Sequence, residues 1–110
     1  MIQSVNSHVL KNQQMLKEIY KRFEFAYVND PQSKGKIKVY VNRQPTYKNR
    51  STDLNIIHRW NGQNGSPPYI CFKEKYKPGD IKTAKKMAHQ WADKTEIYIE
   101  TGIPISEQNS

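Results

Sequence analysis

The chain has 110 residues, 35% of them hydrophobic, and its 18 Lys+Arg against 10 Asp+Glu give a formal charge of +8. That length builds one domain with one modest core, and the charge favours anionic partners: nucleic acid, an acidic protein surface or anionic lipid. No apolar run nears the roughly 20 residues that span a bilayer, no secretory segment follows Met1, and one cysteine excludes an internal disulfide framework. The expectation is a cytoplasmic protein without a membrane partner.

Residues 7–23 read as a helix. Ser7 can cap it, and Val9, Leu10, Leu16, Ile19, Tyr20 and Phe23 fall on one side at helical spacing. Lys11, Gln14, Lys17, Glu18 and Lys21 take the other side, with Glu18 and Arg22 an i,i+4 pair in the favoured order. Phe23, Phe25 and Tyr27 then alternate, which favours a strand over 24–29 rather than more helix. Asn29-Asp30-Pro31 and Ser33-Lys34-Gly35 form a turn. Residues 36–41 alternate again, sending Ile37, Val39 and Val41 to the core and Lys36, Lys38 and Tyr40 to solvent.

Residues 42–53 are polar and irregular, around Pro45 and Lys48-Asn49-Arg50. A short apolar strand is expected over 54–58, a loop over 59–68, and another strand over 69–76. Ile70 and Phe72 would face inward there, and Tyr69, Cys71, Lys73 and Lys75 outward. Asp80 caps a long helix in which Ala84, Met87, Ala88, Trp91, Ala92, Thr95, Tyr98 and Ile99 recur at i, i+3, i+4, i+7. Gly102 and Pro104 end it; a rival pattern breaks it at Asp93 and makes residues 96–100 a strand. Residues 106–110 read as a frayed tail. The expected fold is a single α+β domain over 1–110: a small antiparallel sheet with an N-terminal helix and a long C-terminal helix.

Cys71 is the one strong nucleophile, and cations near a thiol favour its reactive form. Lys73 is two residues away, and His58 can approach across the loop. The alternative is a buried structural cysteine, a common fate for free thiols. His58 and His89 stand in no Cys-x-x-Cys, His-x-x-x-His or His-Glu-x-x-His spacing, so no metal ligand set is expected. Gly62-Gln63-Asn64-Gly65 lacks the Gly-Lys-Ser/Thr ending of a phosphate loop, and no Gly-x-Ser-x-Gly is present. Basic and aromatic residues do interleave: Lys36, Lys38, Tyr40, Arg43, Lys48, Arg50, Arg59, Trp60, Lys73 and Lys75 would suit phosphate contact with base stacking.

The stretch His58…Gly65…Tyr69-Ile70-Cys71-Phe72 resembles the active-site segment of ubiquitin-conjugating enzymes. There a histidine ends a strand, a glycine turn follows, and an apolar run presents the catalytic cysteine. Downstream, Pro78 through Ala84, Ala88, Trp91, Tyr98 and then Glu100-Thr101-Gly102 look like the bacterial members linked to anti-phage defence operons. The likeness covers residues 54–104 by motif and the remainder by order of elements. The family's His-Pro-Asn is replaced by His58-Arg59-Trp60-Asn61. The resemblance implies that Cys71 carries a ubiquitin-like protein as a thioester received from an activating enzyme, with no cofactor. Asn61 or Asn64 would stabilise the oxyanion and His58 would shape the loop. A degenerate adaptor of that fold, a basic nucleic-acid-binding module and a non-catalytic subunit of a larger complex are the other expectations.

Overall fold

Phe23, Phe25 and Tyr27 can share one buried side only in a strand, and in the computed structural model, which describes residues 15–108, all three are fully buried. They belong to β2 (Phe23–Asn29), the second strand of a five-stranded antiparallel sheet. The others are β1 (Leu16–Tyr20), β3 (Ile37–Arg43), β4 (Arg59–Trp60) and β5 (Tyr69–Ile70), in the spatial order β1-β2-β3-β5-β4. One long helix, α2 (Ile81–Thr101), packs on one face of the sheet. The α+β class with a small antiparallel sheet and a long C-terminal helix is therefore the observed one.

The N-terminal helix expected over 7–23 is corrected where the chain is described. Residues 7–14 lie outside the described residues, and Leu16–Tyr20 is a strand paired with β2, Leu16 opposite Tyr27 and Tyr20 opposite Phe23. The two-residue turn Lys21-Arg22 reverses the chain, with Lys21 in the left-handed region at φ 53. Leu16, Glu18 and Tyr20 also fit a period of two, and pairing with β2 selects that reading. Glu18 then accepts from the Tyr27 hydroxyl and meets His89 at 3.0 Å, while Ile19 turns outward and stays 67% exposed.

α2 runs unbroken through Asp93, so the rival strand over 96–100 is not adopted. Asp80 accepts from the Thr83 amide at 2.7 Å, and Gly102, at φ 81, closes the helix on the Tyr98 carbonyl. Ala84, Ala88 and Ala92 let the helix approach the sheet closely. Trp91 sets its ring edgewise on Phe23 and Phe25, at centroid distances of 5.6 and 6.2 Å. Ile37, Val39 and Val41 complete the core from β3, as their alternation foretold.

The segment expected as a strand over 54–58 is a single helical turn, α1 (Leu54–Ile57). The Ile56 and Ile57 amides both donate to the Asp53 carbonyl, which curls the chain before a ladder can form. His58 ends the turn in the left-handed region at φ 52. The strand expected over 69–76 keeps only Tyr69–Ile70, because a 3-10 turn at Glu74–Tyr76 coils the rest. Ile70 faces the core as expected, and Phe72 packs against its margin. The expected tail is docked as far as Gln108, whose amide donates to the Lys94 and Ile103 carbonyls beside buried Ile105. Among the described residues no helix is long and apolar enough to cross a membrane.

Candidate functional site

Cys71 follows β5 directly, and its amide donates to the His58 carbonyl at 2.8 Å. That bond ties the end of β5 to the end of α1. Trp91 of α2 fixes the same corner from below, its indole N–H donating to the Ile57 carbonyl at 2.7 Å. Gly62 lets the intervening loop close: a Cβ there would lie 1.7 Å from the Ser66 carbonyl oxygen. Half-buried Cys71 lines a cavity of about 280 Å³ together with Lys38, Trp60, Tyr69, Phe72, Gln32 and the Asp30–Lys77–Glu74 group. Lys77 donates to Ser33 and Asp30 at 2.7 and 3.2 Å. Burial opposes its charge, but the bonds to Asp30 and Glu74 outweigh that and raise its pKa.

His58 touches this corner through its backbone. Its side chain is half-buried, and its pKa lies below the ordinary histidine value because burial, then the charges of Lys73 and Lys94, disfavour the imidazolium. Asn61 and Asn64 do not line the Cys71 cavity. The Asn61 side chain accepts from Arg59 at 2.9 Å and lines a separate cavity of about 370 Å³ with Thr52, Asp53 and Gln63. Asn64 is exposed in the loop, at φ 54.

The ten basic and aromatic residues separate into different surroundings. Arg59 is only 8% exposed; it donates to Gln44 and Asn61 and lies over the Tyr47 ring at 5.4 Å. Tyr47 is itself pushed up to about 12 by burial. Arg50 donates to the Ile99 and Glu100 carbonyls, capping the C-terminus of α2, and Lys48 sits 3.8 Å from Glu100. Arg43, Lys73 and Lys75 are exposed and Lys36 is half-buried. Lys38, Tyr40 and Trp60 gather on the sheet face that α2 does not cover.

Tyr69, Gln32, Phe72 and Lys77 enter the cysteine cavity without having been singled out for it. Tyr69 carried a signal, the outward parity it shares with Cys71; Gln32 and Lys77 arrive by tertiary packing of two turns. Among the described residues no group of three or more His, Cys, Asp or Glu side chains could hold a metal ion. No protein-family model, curated protein or solved structure matches the chain.

Proposed function

We propose that the protein is a ubiquitin-conjugating-like carrier that holds the C-terminal acyl group of a ubiquitin-like protein as a thioester on Cys71. The observation that carries this reading is the thiol's position, half-buried and opening on a cavity at the junction of β5, α1 and the loop. A buried thiol with no adjoining groove would have ruled it out. The order from the strands onward adds support, namely antiparallel strands, cysteine corner, 3-10 turn, then a Trp-bearing helix ending in Thr101-Gly102, while the helix expected to open that order is a strand at Leu16–Tyr20.

In the loading step the Cys71 sulfur attacks the thioester carbonyl of a charged activating enzyme. The new carbon–sulfur bond forms, the old one breaks, and the activating enzyme's thiol takes back the proton. In discharge an amine nitrogen attacks the same carbonyl, an amide forms, and the Cys71 thiol is regenerated. The negative oxygen formed in each attack needs donors in the cavity. Asn61 lines the other cavity, its side-chain oxygen accepting from Arg59, so Lys38 and Gln32, which line the Cys71 cavity, are the nearer donors. The tag-purified protein from its native host, run on non-reducing gels and weighed intact, tests the reading. Wild type is expected to carry a protein-sized adduct that thiols release and that Cys71→Ala lacks. A Cys71→Ser form is expected to hold it as a thiol-resistant ester. No adduct on wild type across growth and stress conditions would sink the proposal.

A further inference from the structure

Strand register places five side chains in one row across the whole sheet: Lys17 opposite Ala26, Ala26 opposite Tyr40, Tyr40 opposite Tyr69, and Tyr69 opposite Trp60. Paired residues share a face, and their chain neighbours Phe25, Val39 and Ile70 all point to the core. The row therefore lies on the face opposite α2. Ala26 adds no bulk, and from Tyr40 outward the row is aromatic. Tyr40 and Tyr69 meet edgewise at 6.0 Å, Tyr69 and Trp60 lie near-parallel at 6.5 Å, and Trp60 is 45% exposed.

Charge follows the rings. Lys38 holds its ammonium 4.0 Å from the Tyr69 ring centre and 5.0 Å from that of Tyr40, and neither Lys38 nor Lys17 forms an ion pair among the described residues. The carboxylates lie elsewhere or are engaged. Asp93, Glu96 and Glu100 belong to α2, Asp30 and Glu74 hold Lys77, and Glu24, a neighbour on this face, accepts from Asn42. An acidic protein surface would meet the cations with carboxylates and pack side chains on the rings, an occupant that leaves oligothymidylate and oligouridylate unbound. A nucleic-acid duplex would offer phosphates but keep its bases stacked inside. A single strand uses both, stacking bases on aromatic faces while its phosphates meet lysines.

We propose that this row is a binding site for single-stranded nucleic acid, DNA or RNA, with a base stacking on the exposed ring of Trp60, which Tyr69 backs, and phosphates met by Lys38 and Lys17. It shares Lys38, Tyr69 and Trp60 with the lining of the Cys71 cavity but needs no thioester, so oligonucleotide binding and the thiol-labile adduct are read separately and either can fail while the other stands. The test is fluorescence anisotropy of labelled short oligothymidylate and oligouridylate titrated with the full chain, the pair separating DNA from RNA preference. Trp60→Ala and Tyr69→Ala are each expected to weaken binding roughly 5- to 150-fold, and Trp60→Phe to retain most of it. Lys38→Ala is expected to reduce the salt slope by about 0.7, the share of one phosphate contact on a single strand, while Lys82→Ala on α2 leaves affinity unchanged. Ring variants that bind like wild type, or equal losses from Lys38→Ala and Lys82→Ala, would reduce the effect to net charge and overturn the site. So would the absence of binding to either oligonucleotide at low salt.

Discussion

The two ends of the sheet are held by different means. At one end β1, β2 and β3 are strands of 5, 7 and 7 residues joined by long backbone ladders, with one register shift between Glu24 and Phe25. Polar pairs fasten that end to α2: Tyr20 and Lys21 bond Asp93, Arg22 bonds Glu96, and Tyr20 stacks on His89 at 3.9 Å. At the other end β5 and β4 have 2 residues each. There single side-chain and loop bonds replace the ladder, from Trp91 to the Ile57 carbonyl, from Arg59 to Gln44 and Asn61, and from the Cys71 amide to His58. Cys71 and the outer rings of the aromatic row sit at this lightly laddered end. Segments with few backbone bonds open at lower cost than a core ladder, and binding sites are commonly drawn from them.

The division can be broken by substitution. The largest effect is expected at Phe25, fully buried between Phe23, Tyr27 and Trp91. Phe25→Ala should cost about 3–5 kcal/mol, seen as a large drop in the urea midpoint with the whole domain melting as one unit. A smaller and more local effect is expected from Trp91→Phe, which keeps a ring in the core but leaves the Ile57 carbonyl without its indole donor. It should cost about 1–3 kcal/mol. Hydrogen exchange should then quicken at Ile70 and Cys71 more than in β2 and β3. Equal quickening at both ends would contradict the division and make the sheet one cooperative body.

Legibility in the sequence follows the same line. β2, β3 and α2 were readable because burial, period and capping agree there: Ile37, Val39 and Val41 alternate, and Asp80 and Gly102 punctuate a run of apolar residues at helical spacing. Leu16–Tyr20 was misread because five residues with two apolar and one aromatic side chain satisfy both periods, and only pairing with β2 decides. Leu54–Ile57 was misread because its curl comes from two backbone bonds to Asp53, which side-chain pattern does not encode. Cys71 was legible as a candidate from its type and parity. Its neighbours Gln32 and Lys77 were not, since both reach it through turns whose packing depends on the whole fold. Arg59 shows the converse: a residue read as surface charge is drawn inward by Gln44, Asn61 and the face of Tyr47.

The smallest effect, and the one that isolates the cysteine corner, is its pH dependence. Burial first, then Lys73 and Lys94, lower the pKa of His58 from its ordinary 6.5. The unfolded chain therefore binds this proton more readily than the folded one. His58 contributes its full stabilisation above about pH 6.5, and that contribution is lost as pH falls through that value toward the folded pKa. Asp80, Asp93 and Glu96 are also lowered, by the Thr83 amide, by Lys21 and Tyr20 against the opposing effect of burial, and by Arg22 respectively. Their contributions persist until pH drops below the ordinary carboxylate range near 4, so the interval above it belongs to histidine. His58→Asn keeps a residue tolerant of the left-handed φ of 52 while removing the titration. Urea midpoints of wild type should fall between about pH 7 and about pH 5, and those of the variant should fall less. Exchange at Cys71 should show the same difference before β2 does, because the charge appears at the corner that the Cys71 amide and the His58 carbonyl hold closed. Parallel profiles for the two proteins would mean that the imidazolium finds room in solvent, and that the corner yields only with the rest of the sheet.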